Sequence, residues 1–258
     1  MIARVALPPA FLITPIAHRG YHSLVEGRPE NSLGAFRAAI AAGYGIELDV
    51  QQSADGQAMV FHDDDLDRLT HRTGPVKNHK ADALNSLVLR GSDEPIPTLK
   101  QVLALVAGRV PLLIEIKDNL GTMAETEGRL EQAVADALAN YRGPVAVMSF
   151  NPHAVAHMAR LAPGIPRGLT TEAYDPAHNA PIPPAVCDRL RDIPDYDATG
   201  STFISHQASD LDRPRVAALK SQGAVILCWT IRSPEEEAKA RKVAHNITFE
   251  GYAAESRA

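Results

Sequence analysis

Residues 45–51 read GIELDVQ, a short run that carries two acids, Glu47 and Asp49, at alternate positions. On a β-strand, positions two apart point to the same face, so both carboxylates emerge together. Residues 111–117, PLLIEIK, repeat the arrangement with Glu115 and Lys117. Buried acids are rare without a partner and costly to desolvate unless something cationic lies between them. These two stretches are therefore read as neighbouring strands whose inward faces converge on a polar centre.

Outward from them, short apolar runs alternate with helical patterns. Strands are expected near Ile13–His18, Gly45–Val50, Pro111–Lys117, Val145–Phe150, Arg167–Thr170, Thr202–His206, Val225–Thr230 and His245–Phe249. Between them lie punctuated helices. Residues 31–42 have a cap at Asn31 or Ser32, apolar Leu33, Phe36 and Ile40 on one face, and Gly43 as a stop. Residues 123–141 place Leu130, Val134, Leu138 and Tyr141 at helical spacing before Gly143-Pro144. Ser233-Pro234 followed by Glu235, Glu236 and Glu237 opens a helix, with Lys239, Arg241 and Lys242 at the opposite pole.

Eight strands with helices between most of them predict a parallel sheet closed as a (β/α)8 TIM barrel, with a doubly wound open sheet as the alternative. Met59–His62 follows Val50 too soon for a helical crossover, so it is read as a β-hairpin arm after the second strand. Residues 171–200 are rich in Pro and Asp and are read as a long surface loop. No linker or low-complexity tract interrupts the chain, which is read as a single domain over residues 1–258.

The 258 residues contain 26 Lys and Arg against 31 Asp and Glu, a net charge of −5, which argues against a broad nucleic-acid or anionic-membrane footprint. Only Cys187 and Cys228 are present, so a disulfide framework is not expected, and a reducing, cytoplasmic setting fits. The start, MIARVALPPAFLITP, faintly resembles a signal sequence. Pro8 and Pro9 interrupt it and no small-residue cleavage site follows, so it is read as part of the fold. No run of about 18 apolar residues exists, which excludes a membrane-spanning helix.

Three carboxylates, Glu47, Asp49 and Glu115, make an oxygen-rich site of the kind Mg²⁺ or Ca²⁺ takes. Spacing alone leaves a second reading open, in which Lys117 pairs with Glu115 or Asp49 in a metal-free ion network. The histidines favour the metal. PIAHRG, residues 15–20, ends the first strand in His18 and Arg19, and His62 ends the hairpin arm just before Asp63-Asp64-Asp65. In a barrel both histidines reach the rim where the acids gather. Two imidazoles beside a divalent ion are the parts of metal-assisted phosphodiester cleavage, one taking a proton and the other giving one. Arg19 binds phosphate oxygens bidentately, and Lys117 offers a point charge.

The stretches AHRGYHSLVEGRPENSLGAF, GIELDVQQSADGQAMVFHDDDLDRLT, IPTLKQVL, PLLIEIK, VMSFNPHAV and ILCWT resemble, in order, the glycerophosphodiester phosphodiesterase family. HRG alone is a weak signal; HRG, PEN, ELDV, the DG turn and FHD together are a specific one. The resemblance implies a TIM barrel related to the phospholipase-C-like phosphodiesterases. It implies hydrolysis of a small glycerophosphodiester to glycerol 3-phosphate and an alcohol. Residue by residue, it makes Glu47, Asp49 and Glu115 the ligands of one divalent ion, Mg²⁺ or Ca²⁺ with Mn²⁺ an option, and His18 and His62 the acid–base pair. Arg19 and Lys117 become phosphate-binding, with Trp229 on the glycerol side. Asn31 matches the PEN motif, where helix capping explains it equally well.

The chain departs from the family at its end, NITFEGY, where relatives often carry a TD-x-P stretch. His22, His71, His79, His153, His157, His178 and His245 are read as loop or helix-surface residues, and Cys187 and Cys228 as packing residues. His206, ending the FISH strand, is a substrate contact only on the less favoured reading. Two rival functions remain, a Schiff-base aldolase using Lys117 and a non-catalytic barrel that binds phosphodiesters or lipid headgroups. A lysophospholipase D-type substrate is a further alternative.

Overall fold

The computed structural model describes residues 3–255. Within them, nine strands form one sheet: β1 (Ile16–Ala17), β2 (Gly45–Gln52), β3 (Ala58–Val60), β4 (Leu112–Ile116), β5 (Val145–Ser149), β6 (Arg167–Thr171), β7 (Phe203–Gln207), β8 (Val225–Ile231) and β9 (Asn246–Phe249). Eight run parallel in the order β1, β2, β4 to β9, and β9 pairs back onto β1, closing the barrel. β3 lies antiparallel against β2, the expected hairpin arm. The doubly wound alternative fails on that closure, since an open sheet leaves two unpaired edges.

Register decides what faces inward. Asp49 pairs with Glu115, Glu115 with Met148, Gly168 with Phe203, Ser205 with Leu227, and Ile16 with both Thr248 and Gly45. Ile16, Leu113, Ala146, Met148, Phe203 and Leu227 accordingly fill the lumen. The alternate residues, such as Ile46, Leu48, Val50, Leu112 and Ile114, pack outward against the helices in the larger core. Both faces of the strands are thus apolar except where the lumen turns acidic at one end.

Helices return the chain between strands: α2 (Leu33–Ala42), α5 (Arg129–Leu138), α6 (Pro152–Leu161), α7 (Pro184–Arg191), α8 (Pro214–Ser221) and α9 (Pro234–Ala240) each form one crossover. α2 is capped by Ser32, whose side chain accepts from the Ala35 amide, and α9 by Ser233 in the same way from Glu236. Between β3 and β4 the chain forms α3 (Ala81–Leu84) and α4 (Leu99–Val106). Met59, Phe61, Leu66, Leu84 and Ile96 cluster there in a small satellite core rather than an inserted domain.

Two segments differ from the sequence reading. Ile13 ends a helical turn, α1 (Ala10–Ile13), and the first strand begins only at Ile16. Leu7 and Phe11 join the lumen core, and the Asn246 side chain donates to the Phe11 and Thr14 carbonyls at 2.8 and 2.6 Å. Asn246 opens β9, so α1 plugs the N-terminal end of the barrel. Met1 and Ile2 of the signal-like start lie outside the described residues. The long connection after β6 carries α7 within it, and Tyr174, Cys187 and Leu190 bury together there. Among the described residues, no helix is long and apolar enough to cross a membrane.

The plug yields a direct expectation. Phe11 is fully buried while Ile13 is 55% exposed. Phe11→Ala should lower unfolding free energy by about 3–5 kcal/mol, and Ile13→Ala by no more than about 0.5 kcal/mol. Urea denaturation of both variants checks the contrast; equal losses would contradict the plug.

Candidate active site

The acidic end of the lumen is the end where the parallel strands finish. A cavity of about 150 Å³ there is lined by His18, Arg19, Glu47, Asp49, His62, Glu115, Lys117 and Trp229 together with Met148, Phe150, Thr230, Arg232 and Thr248. All eight residues singled out in the sequence share this one cavity. The barrel explains why: residues up to 211 positions apart in sequence stand at neighbouring strand ends once β9 closes onto β1.

Glu47, Asp49 and Glu115 are buried, and one oxygen from each lies within 4.8 Å of the others. The Lys117 ammonium bridges two of them, at 2.7 Å from Asp49 Oδ1 and 2.5 Å from Glu115 Oε1. Arg19 Nε stands 3.5 Å from Asp49 Oδ2, and the Asn31 side-chain amide donates to that same oxygen at 2.9 Å. Burial opposes ionisation of Asp49, but Lys117, His62 and Arg19 outweigh it and hold the acid well below the ordinary carboxylate range. Burial likewise opposes a charged Lys117, and Asp49 and Glu115 reverse it, leaving the amine firmly protonated. A Schiff-base lysine must be a free amine, so this environment disfavours aldolase chemistry.

Glu47 is the exception. Burial, reinforced by the charges of Asp49 and Glu115, pushes its pKa well above the usual value. Its oxygen Oε2 accepts only the Arg19 backbone amide at 2.9 Å, with His18 Nε2 4.0 Å away. Three carboxylates thus face two fixed cations, Lys117 and Arg19, and the acid left over has none. An all-oxygen donor set short of positive charge suits a hard divalent cation.

Each histidine is held through Nδ1 by a carboxylate. His18 Nδ1 lies 2.6 Å from Glu250 Oε2, and His62 Nδ1 lies 2.7 Å from Asp63 Oδ1. A carboxylate only accepts, so Nδ1 carries the proton and Nε2 is left for the cavity. Burial lowers the His18 pKa despite the bond to Glu250, favouring the neutral ring. Behind these pairs, Arg68 forks onto both Asp63 and Glu30, and Glu30 accepts from Arg19 Nη1 at 2.7 Å. One chain of charge therefore runs from His62 to Arg19.

Two buried polar atoms on the cavity residues make no hydrogen bond, Arg19 Nε, which keeps only its ion-pair contact with Asp49, and Thr248 Oγ1. Such atoms are rare, and here both belong to residues that line the cavity. Arg19 and Asn31 also adopt left-handed backbone, with φ of 54° and 56°, a strained conformation that clusters at functional sites. Asn31 is not the helix cap, a role taken by Ser32; its side chain is spent on Asp49. Trp229 stands on the cavity wall, its ring edge-on to Phe150 at 5.5 Å and its Nε1 donating to the Ser205 carbonyl.

Several participants were not legible in the sequence. Glu30 sits inside the PEN motif and Asp63 inside FHD, so position in the motif was a usable signal. Glu250 had none beyond the unusual NITFEGY ending. His22, read as a plain loop residue, has Nε2 3.8 Å from Glu250 Oε2. His206 is fully buried and lies off the cavity: Nδ1 bonds Thr171 Oγ1 at 2.8 Å and Nε2 meets Asp210 at 3.1 Å.

Residues 18–246 match the glycerophosphoryl diester phosphodiesterase family. A glycerophosphodiester phosphodiesterase of Caldanaerobacter subterraneus subsp. tengcongensis is 34% identical over 175 residues, covering 64% of this chain and 70% of that protein. One from Bacillus subtilis is 26% identical over 247 residues, covering 86% of this chain and 77% of that protein. An Oleispira antarctica phosphodiesterase, solved in complex with the product sn-glycerol-3-phosphate, superposes with a TM-score of 0.75 at 25% identity, covering 93% of this chain and 94% of that one.

The buried His206 predicts part of the acid sensitivity. Burial lowers its pKa below the ordinary 6.5. On acidification the unfolded chain therefore takes up this proton first, and stability falls from about pH 6.5 down to the folded pKa. Denaturation midpoints should drop between pH 7 and pH 5, and less steeply in His206→Gln; identical slopes would contradict the assignment.

Proposed function

The chain belongs to the glycerophosphoryl diester phosphodiesterase family, and from that premise we propose that it cleaves a glycerophosphodiester to glycerol 3-phosphate and an alcohol by histidine acid–base catalysis beside a carboxylate-held divalent ion. The observation that carries this reading is the shared cavity, where three acids, two cations and two imidazoles line one space. Glu47, Asp49 and Glu115 would hold the ion, Mg²⁺, Ca²⁺ or Mn²⁺. Bound there, it supplies positive charge for the phosphoryl oxygens.

The Arg19 guanidinium, whose Nε faces Asp49 at 3.5 Å, supplies positive charge for the phosphoryl oxygens, and Lys117 adds a second charge from the same cavity. Trp229 and Phe150 form an aromatic wall against which the glycerol carbons rest. His18, neutral and with Nε2 free, takes the proton of the glycerol 2-hydroxyl as that oxygen bonds to phosphorus. The bond from phosphorus to the alcohol oxygen breaks, and His62, which enters this step as the imidazolium with Nδ1–H held on Asp63, gives its Nε2 proton to the departing alkoxide. The cyclic phosphate then opens with the roles exchanged. His62 takes a proton from water as the water oxygen bonds phosphorus, and His18 returns one to the 2-oxygen.

Glycerol 3-phosphate release from glycerophosphocholine, glycerophosphoethanolamine, glycerophosphoinositol, glycerophosphoglycerol and a lysophospholipid tests the activity and names the alcohol. Chelator should abolish release, and Mg²⁺, Ca²⁺ or Mn²⁺ should restore it. His62→Ala should lower kcat about 10²–10⁴-fold; a normal rate would refute its role. Binding of these diesters without turnover in the presence of metal would instead support the receptor reading.

The ligand set has its own test. A divalent ion at a hundredfold excess over its Kd should stabilise the folded protein by about 2.7 kcal/mol. Glu47→Gln should shrink that thermal shift, and an unchanged metal titration would contradict the set.

A further inference from the structure

We propose that Glu250 is a positioning residue for the proposed reaction, holding His18 so that Nε2, not Nδ1, serves as its proton acceptor. This inference rests on the reading of His18 as the base. The argument begins with register. Ala17 pairs with Phe249 across β1 and β9, and Ile231 pairs with Phe249 across β8 and β9. The first residues beyond the three strand ends are His18, Glu250 and Arg232, which therefore stand side by side at the rim. The His18 amide donates to the Phe249 carbonyl at 2.9 Å, and the Glu250 amide to the Ile231 carbonyl at 2.9 Å, fixing all three backbones.

The side chains complete the arrangement. Glu250 Oε2 takes His18 Nδ1 at 2.6 Å, with His22 Nε2 3.8 Å from the same oxygen, while Oε1 is ion-paired with Arg232 Nε at 2.9 Å. With both oxygens engaged, the carboxylate plane is set and the imidazole plane follows. The opposite ring nitrogen, Nε2, then sits 4.0 Å from Glu47 Oε2, inside the cavity. Stability does not explain this construction. Arg232 is 61% exposed, and an ion pair so open to water is worth about 0–1 kcal/mol at most. The role that remains is geometric, the same one that a carboxylate plays behind a catalytic imidazole, selecting tautomer and orientation.

Steady-state kinetics of Glu250→Ala, Glu250→Gln and His18→Ala, read as glycerol 3-phosphate release, test the inference together with ¹⁵N spectra of the His18 ring. Glu250→Ala should lower kcat about 10–100-fold with KM within about twofold. Its His18 signals should move from the Nδ1–H tautomer toward Nε2–H, and its thermal midpoint should stay near that of the parent. Glu250→Gln, whose amide oxygen still accepts from Nδ1, should recover part of kcat and keep the Nδ1–H form. Glu250→Ala with normal kcat and unmoved ring signals, beside an inactive His18→Ala, would overturn this inference alone. A fully active His18→Ala would overturn the underlying assignment of the base as well.

Discussion

The molecule is organised around one electrostatic constraint: three carboxylates point into the same buried corner and must be counter-charged. The register of β2 against β4 sets Asp49 beside Glu115, so the acids cannot move apart without breaking the sheet. Lys117 answers two of them directly, and Arg19 leans on the other Asp49 oxygen, Oδ2. Glu47 is left in conflict with its neighbours, which its raised pKa records. A buried acid cluster with fewer fixed cations than carboxylates draws positive charge toward itself, which is what the proposed phosphoryl chemistry requires.

The same economy appears twice at the rim. His18 and His62 come from different strands, yet each has Nδ1 seated on a carboxylate, Glu250 or Asp63, and each of those acids is seated in turn on an arginine, Arg232 or Arg68. Acid, imidazole and guanidinium alternate, so each charged group is flanked by its complement. Arg68 also reaches Glu30 and through it Arg19, which ties the proposed acid to the proposed phosphate clamp. Displacing one member moves the others, because their hydrogen-bonding capacity is nearly all engaged among themselves.

Strained backbone stands at the site itself and apolar support at the opposite mouth. Arg19 and Asn31 hold left-handed backbone, and Arg19 Nε and Thr248 Oγ1 make no hydrogen bond. At the opposite mouth α1 seals the lumen with Phe11 and Leu7, and the crossover helices bury an apolar shell around the strands. A rigid, well-filled base lets the other end carry unfavourable geometry without loss of the fold.

Much of this was readable beforehand from particular residues. Alternation of strand and helix was enough for a parallel sheet with helical crossovers, because the period of apolar residues is a local property that chain neighbours impose; closure over an open doubly wound sheet was decided by the pairing of β9 with β1. Alternate placement put Glu47 and Asp49 on one face for the same reason, and motif residues His18, Arg19, His62 and Lys117 were each found by their place at a strand end. What could not be read was which charges meet across the closure. Glu250 lies in the unusual NITFEGY ending, which marks a departure but no role; only the pairing of β9 with both β1 and β8 sets it between His18 and Arg232. Asn31 looked as much like a cap as Ser32 until Asp49 claimed its amide. Local periodicity and strand-end chemistry were thus the chain's own, whereas partner choice among the charges came from barrel closure, which sets distant residues within hydrogen-bond reach and so fixes each proton's place.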